Sequence, residues 1–301
     1  MNYRNDWSKK LSADAGYSFN NRKNATLSKT FSQNFLENFT RLENATSDNN
    51  SDNYSNNFSG NLIFKPDTLN LLRVSPRFSN NSNNLESLGA TNISQQDLTT
   101  IRNNLSGTNA LNMNVGTRFY YNHRFHKKGR NMSMSGNFDF SNGDNERNVL
   151  NDYLIRQAGG DSTRIQNQLI ANTNNNYSLW SNITYMEPIW NKTFVEFNYS
   201  HSRSSTTTDR ITNDIIGGNQ IFNPDLSNNY EYQFYTHRFG ANYRYVADKF
   251  NYTLGLNAQP AILKGQNISR SINTEKHTFN LIPAARMVYK FSKQQALNVN
   301  Y

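Results

Sequence analysis

The sequence predicts an all-β fold, an antiparallel transmembrane β-barrel, from its turns and from the alternation between them. Short turns that contain Lys or Arg recur along the 301 residues. They are flanked by segments in which every second residue is apolar, and longer stretches rich in Asn, Ser and Thr separate successive hairpins. Short turns on one side and long loops on the other are typical of outer-membrane barrels. The predicted short turns are residues 5–10, 65–68, 126–131, 187–192, 247–249 and 292–295.

The composition is polar but rich in aromatic residues. Only 35% of the residues are hydrophobic and the mean hydropathy is −0.83, values that in a soluble protein would favour disorder. Aromatic residues make up 13% and recur at period two, which argues against both disorder and an Asn-rich low-complexity segment. A barrel explains both facts, because only every second strand residue faces lipid. Asn occurs 53 times and is depleted from strands, so we expect it mainly in turns and loops.

The lack of cysteine, the lack of long apolar runs and the distribution of charge exclude several classes of protein. The chain has no cysteine, so disulfides, thiolate catalysis and cysteine metal ligands are excluded. No run approaches the roughly 18 apolar residues of a spanning helix. The net charge is +9, but the lysines lie mostly in short turns and no basic run exceeds residues 127–130, so we expect no nucleic-acid partner. Residues 1–10 are not a signal peptide, and because a barrel protein must be exported, we expect the natural start to lie upstream.

The strands are predicted in order from this alternation. Residues 11–19 alternate over about 10 positions, the length of a transmembrane strand. A second, less regular strand is predicted over residues 25–35. Pro76 falls within a later strand, where a missing N–H favours an edge position or a bulge. The tally is about 12 strands, several longer than a bilayer requires. The other alternating segments are residues 54–64, 72–78, 111–125, 132–140, 177–185, 193–199, 235–245, 250–256, 279–291 and 297–301.

Four long polar stretches are predicted as loops on the side opposite the short turns. The third of them is compatible with a short helix over residues 149–170. The predicted loops are residues 44–53, 80–109, 141–176 and 204–229.

The clearest strand, residues 111–125, predicts which residues face lipid. One of its faces is apolar, and the other carries Arg118, Asn122 and Arg124. An apolar face against an Asn/Arg face indicates lipid on one side and a water-filled lumen on the other. We therefore expect these three residues to line the lumen, and Phe and Tyr to form the lipid face and its interfacial girdles.

The sequence contains two candidate metal-binding motifs, and neither predicts a metal site. His123 and His126 have the spacing of metal ligands on a helix, but on a strand they would face opposite sides. Asp48, Asn50 and Asp52 match the start of a calcium loop, which then fails at positions six and twelve, so a solvated outer loop is favoured and calcium there stays an open alternative.

Glu187 and Pro188 lie together in a turn with no second carboxylate near them in sequence, which favours a structural role. No nucleophile, base and oxyanion donor come together in the sequence. We predict no enzyme, no catalytic, cofactor-binding or metal site and no cofactor, and the sequence identifies no ligand-binding residue.

Three segments resemble hairpins of the Bacteroidetes outer-membrane β-barrel proteins, relatives of the TonB-dependent receptors. They are residues 184–204 (TYMEPIWNKTFVEFNYSHSRS), 235–265 and 124–146. The resemblance implies a surface receptor with a carboxypeptidase-regulatory-like N-terminal domain, a plug and a 22-stranded barrel. We expect residues 1–301 to be one barrel segment, truncated from the larger barrel, with the plug and the N-terminal domain absent from it.

The resemblance also implies a function, localisation and partners. We expect an outer-membrane receptor or transporter barrel that takes up a scarce or bulky ligand in a TonB-dependent manner. The expected partners are outer-membrane lipid, a TonB-type periplasmic energy transducer acting through the plug, and a surface lipoprotein. A passive porin-like pore and a surface-adhesion barrel remain alternatives.

Overall fold

The computed structural model describes residues 1–292 and 294–301, and it forms one antiparallel sheet of 13 strands where about 12 were predicted. Each strand pairs with the next along the chain, except that β9 pairs only with β8 and leaves β8 to pair with β10. The strands are β1 (Asn2–Ser8), β2 (Leu11–Phe35), β3 (Thr40–Phe64), β4 (Asn70–Gln95), β5 (Leu98–Arg124), β6 (Asn131–Arg156), β7 (Ser162–Trp190), β8 (Thr193–Ile216), β9 (Asn219–Phe222), β10 (Asn228–Val246), β11 (Phe250–Asn267), β12 (Ile272–Lys290) and β13 (Ala296–Asn300).

The sheet is open within the described residues. β1 and β13 stand at the two ends of the strand order, and each pairs with a neighbour on one side only. No helix among residues 1–292 and 294–301 is long and apolar enough to cross a membrane.

Ten of the strands are much longer than a bilayer requires. They run for 18 to 29 residues, whereas a tilted strand crosses a bilayer with roughly 9–11. The hairpins therefore extend far beyond the membrane on the side away from the short turns. At that side the connections are residues 36–39, 96–97, 157–161, 217–218, 223–227 and 268–271.

The four predicted loops are wrong, because most of their residues are strand. Residues 44–53 lie within β3, and residues 80–109 belong to β4 and β5 apart from the turn at 96–97. Residues 141–176 form the outer parts of β6 and β7 with a turn at 157–161, so residues 149–170 form no helix. Residues 204–216 continue β8. The separate strand predicted over residues 25–35 is wrong as well, since those residues continue β2.

Cross-strand polar pairs explain why Asn-rich sequence forms strands here. The Asn104 side-chain amide donates to Asn151 Oδ1 on the neighbouring strand at 2.7 Å, and the Ser28 and Ser47 hydroxyls lie 2.9 Å apart across β2 and β3. Such pairs stabilise directly opposed positions, so the pairing partners decide the structure and the intrinsic propensity of Asn does not.

The prediction for Pro76 is wrong, because this residue lies in an interior strand without a bulge. It remains paired with Thr117 on β5, and the register toward β3 is unchanged on either side of it. The β3 ladder is interrupted over two positions, where Pro76 faces Gly60 and Ser75 faces Asn61. A Cβ added to Gly60 would lie 3.4 Å from Pro76 Cγ, so the glycine gives the proline ring room. The missing N–H is thus accommodated by a local gap in one ladder.

The short turns are observed at the predicted places, with narrower limits in two cases. Residues 5–8 belong to β1, which leaves a turn at residues 9–10, and residues 187–190 belong to β7, which leaves a turn at residues 191–192. Asp67 shapes the β3–β4 turn by accepting hydrogen bonds from the backbone N–H groups of Leu69 and Asn70, both at 2.8 Å. Lys293, within the predicted turn 292–295, lies outside the described residues.

The sheet has no conventional hydrophobic core. Val149 and Ala261 are the buried hydrophobic residues in the described part of the chain, while many large apolar side chains are exposed. Exposed Phe, Leu and Tyr on a long sheet require an apolar surrounding, so lipid has to cover one face.

Candidate functional site: the inner face of the sheet

One face of the sheet is concave and polar. A cavity of about 740 Å³ is lined by residues of eight successive strands, from Asn2 on β1 to Thr206 on β8. The side chains of Arg77, Asn114 and Asp139 line this cavity. We call the face that carries them the inner face and the opposite one the outer face.

An ion pair crosses the inner face over a glycine. Arg77, Gly116 and Asp139 are directly opposite one another on β4, β5 and β6. The Arg77 guanidinium donates to the Asp139 carboxylate, although these residues are two strands apart. A Cβ at position 116 would collide with both side chains, so a glycine is required for them to meet.

Residues that are directly opposite one another on successive strands form rows across the inner face. The two rows next to this ion pair carry no charged side chain from β2 to β8, and we call them the neutral rows. Thr206 donates to Asn176 Oδ1 at 2.8 Å, and Thr208 donates to Asn174 Oδ1 at 2.7 Å. A second cavity of about 530 Å³ is lined by eight asparagines with Ala110, Ser141 and Gly143. From β2 to β8 the neutral rows are Ser18, Asn57, Ser79, Asn114, Ser141, Asn176 and Thr206, and Asn20, Ser55, Asn81, Asn112, Gly143, Asn174 and Thr208.

The neutral rows continue on β10 as two tyrosines. Tyr232 is directly opposite Thr206, and Tyr230 is directly opposite Thr208. Both rings border a cavity of about 430 Å³ that Gly265 also lines. Amide and hydroxyl groups with two tyrosine rings can bind a ligand by hydrogen bonds and by ring contacts, without requiring an opposite charge.

The residues expected to line the lumen lie on the inner face. Arg118, Asn122 and Arg124 alternate along β5 on the same side as Asn114. The Asn122 side chain donates to Asn131 Oδ1 at 2.9 Å. Nearer the short turns of the later strands, Arg244 Nη1 donates to Glu196 Oε2 at 2.9 Å. Charged groups on this face are thus paired in places, and they lie outside the neutral rows.

The outer face carries an apolar band with tyrosines at its limits. On β7 the outward residues run from Tyr177 to Tyr185, nine positions that match the length needed to cross a bilayer. Phe239 and Leu281, on later strands, are 53% and 61% exposed. On β7 the two outward positions directly above the band are polar, at Asn175 and Thr173. This distribution confirms an apolar outer face against a polar inner face.

Glu187, near the end of β7, is bonded to the β5–β6 turn just beyond the band. Arg130 donates to its carboxylate from Nε at 2.7 Å and from Nη2 at 2.8 Å, and Lys127 Nζ donates at 2.6 Å. The Tyr185 hydroxyl also donates, at 2.6 Å. The Arg130 bonds above all, then those from Lys127 and Tyr185, hold the pKa of the Glu187 carboxyl well below its usual range. Glu187 therefore has a structural role, and sequence reasoning missed its partners because they lie 57 and 60 residues away.

The two histidines that are close in sequence do not form a pair in the structure, whereas two that are distant in sequence do. His123 lies on β5 with Nδ1 2.8 Å from Asn70 Oδ1, while His126 lies in the following turn, so the two form no site. His201 and His237 are directly opposite on β8 and β10, with ring centroids 4.7 Å apart. Sequence analysis missed this pair, since only the strand register brings the two rings together.

The calcium-loop candidates lie in regular strand. Asp48, Asn50 and Asp52 occupy alternate positions of β3, and Asp52 Oδ2 is 3.3 Å from Lys23 Nζ. A straight strand spreads these residues over several ångströms and does not wrap them around an ion. The residues that the structure describes contain no group of three or more His, Asp or Glu side chains able to hold a metal.

Comparisons with solved structures place this fold among large outer-membrane barrels. The ferric citrate transporter FecA in its unliganded form aligns with a TM-score of 0.52 at 8% identity, over 98% of this chain and 42% of that chain. BauA, the ferric preacinetobactin receptor from Acinetobacter baumannii, aligns with a TM-score of 0.51 at 12% identity, over 99% of this chain and 46% of that chain. This chain therefore spans less than half the length of either protein.

A search of curated protein sequences found no match. A family model, in contrast, agrees with the fold. Residues 123–301, more than half of the chain, match the model of the outer membrane protein beta-barrel family. That match fixes the localisation as the bacterial outer membrane, in agreement with the apolar outer face. The chain belongs to the outer membrane protein beta-barrel family.

Proposed function

We propose that this chain forms part of the wall of an outer-membrane receptor that takes up a scarce or bulky ligand in a TonB-dependent manner. The observation that carries the proposal is the pair of neutral rows, which present amides and hydroxyls across seven strands of the inner face. The rows lie beside the Arg77–Asp139 pair and extend toward the long hairpins. A ligand with many hydroxyl or amide groups would find partners along this whole surface.

The likeness of the fold to a ferric citrate transporter and a ferric preacinetobactin receptor supports a transport role. A plug outside this chain would gate the passage, and a TonB-type transducer in the periplasm would supply energy through it. A surface lipoprotein is a further proposed partner at the long hairpins. We propose a transporter and not an enzyme. The Bacteroidetes origin stays a prediction.

A depletion experiment tests the proposal without knowledge of the ligand. Culture medium is analysed by mass spectrometry after growth of the parent strain, a strain lacking this protein and a strain lacking the energy transducer. We expect the same solutes to remain in the medium of both deletion strains. Solutes that require the protein but are still depleted without the transducer would contradict energised uptake and identify a passive pore.

A second measurement distinguishes a passive pore from a receptor more directly. Steady ion conductance by the purified protein in planar bilayers would support the porin-like alternative. We expect the protein to conduct no steady current when the rest of the receptor is present.

A further inference from the structure

Arg203 is a cation on the outer face of β8, held between two aromatic rings. Its guanidinium carbon lies 5.6 Å from the centroid of Tyr177 and 5.2 Å from the centroid of Tyr235. Tyr235 is directly opposite on β10, and Tyr177 lies on β7. Contacts with two rings restrict the guanidinium, so its position is set before any ligand arrives.

No described residue forms an ion pair or a hydrogen bond with the Arg203 side chain. Its Nε is buried and has no partner. Two acidic side chains on the same face of the following strands, Glu231 and Glu275, form other contacts. Glu231 accepts a hydrogen bond from the Gln233 side-chain amide. Glu275 accepts from Lys264 at 3.2 Å and contacts His277 Nε2 at 2.9 Å. The guanidinium therefore carries a charge that the described chain leaves uncompensated.

The position of Arg203 in the apolar band determines what can compensate this charge. Tyr177 and Tyr235 end the apolar band on their strands, and the next outward positions are Asn175 and Gln233. Arg203 thus lies at the margin of the band nearest the long hairpins, which is the outer-leaflet side of a barrel. Lipid headgroups lie at this depth, where a cation is attracted to their anionic groups.

We propose that Arg203, with Tyr177 and Tyr235, binds the phosphate of a lipid headgroup in the outer leaflet. The planar fork of a guanidinium fits a phosphate with two parallel hydrogen bonds, which an ammonium does not reproduce. The two rings also give the lipid chains an apolar surface beside the phosphate. The proposal is independent of the transport function, because it concerns the opposite face of the wall.

Native mass spectrometry of the purified protein in detergent tests the site. The probe is phosphatidylglycerol, and the phosphate-free lipid monogalactosyldiacylglycerol is the comparison. We expect one tightly retained phosphatidylglycerol per protein and an affinity about tenfold lower in Arg203→Gln, with Arg203→Lys intermediate. Arg238→Gln is the matched control, because Arg238 lies on the inner face of the adjacent strand, three positions from the residue opposite Arg203, and its Nε is also buried without a partner.

Three results would overturn the proposal. They are equal retention of the two lipids, unchanged affinity in Arg203→Gln, and displacement of the lipid by millimolar inorganic phosphate, which would indicate a site for a free anion. If Arg203→Gln does not fold, Tyr235→Leu keeps the charge and removes one ring, and we expect it to weaken lipid retention severalfold.

Discussion

Glu187 and Arg130 form a two-pronged ion pair, at 2.7 and 2.8 Å, that ties the β5–β6 turn to the end of β7. Arg130 in turn lies over the Phe125 ring, 5.7 Å from its centroid. Parallel hydrogen bonds of this kind fix both position and angle, so the pair orients two neighbouring hairpins at the short-turn edge of the sheet.

Replacing Glu187 by Gln should loosen this edge. The amide keeps the shape but loses the charge, and it cannot accept from all of Arg130, Lys127 and Tyr185 as the carboxylate does. We expect a lower thermal unfolding midpoint by circular dichroism in detergent micelles. The control is Asp161→Asn, whose exposed pair with Arg156 at 3.5 Å should be worth under about 1 kcal/mol.

The same pair predicts a pH dependence with a definite sign. The pKa of the Glu187 carboxyl is lowered in the folded protein from its ordinary value of 4.5, chiefly by Arg130. A lowered folded pKa gives stability that is present above the unfolded pKa and is lost as the pH falls through the folded one. The difference in unfolding midpoint between wild type and Glu187→Gln should therefore be constant from pH 7 to 5 and shrink in stronger acid. A difference that grows on acidification would contradict this assignment.

Gly129 should not tolerate a side chain. Its φ of +88° is in the left-handed region, and an added Cβ would lie 2.9 Å from Phe194 Cε1. We expect Gly129→Ala to cost about 1–2 kcal/mol of unfolding free energy in urea, because L-residues are strained at this φ. Gly159→Ala is the control, since Gly159 lies in a turn at the other end with open space around its Cα. Equal effects of the two changes would contradict the described turn.

Arginine should affect folding very differently at two adjacent positions of β7. Ile183 is outward and 39% exposed, while Asn182 is on the inner face and donates to Thr184 Oγ1 at 3.0 Å. A lipid-facing Arg near the middle of the bilayer costs about 2–4 kcal/mol, whereas lumen positions tolerate charge. We expect Ile183→Arg to lower folding yield into lipid vesicles strongly and Asn182→Arg to lower it little. Similar losses from both would show that the faces are wrongly assigned.

The sequence predicted the fold wherever the two faces of a strand differ. Residues 111–125 alternate between apolar and polar because one face meets lipid and the other water, and this segment is observed as strand from 111 to 124. Above the band both faces meet water, so the alternation disappears and strands such as residues 80–95 look like loops. Their pairing depends on cross-strand amides such as Asn104 and Asn151, which single-strand patterns do not reveal.

The polar clusters could not be predicted, because they depend on the register between strands. Arg203 and Tyr235 are 32 residues apart and become neighbours only through the pairing of β8 with β10. Glu187 and Arg130 meet because the β5–β6 turn lies beside the end of β7. The inner-face position of Arg118 and Asn122 could be predicted, since it requires only the two-residue period of β5.

Spin-label accessibility along β7 tests the central claim, that this wall separates lipid from a polar interior. The chain has no cysteine, so single cysteines can be placed in turn at residues 177 to 185 and labelled in lipid vesicles. We expect access of dissolved oxygen to peak at the odd positions and access of a water-soluble nickel complex to peak at the even ones. Accessibility without a two-residue period, or high nickel access at Leu179 and Ile183, would contradict the account.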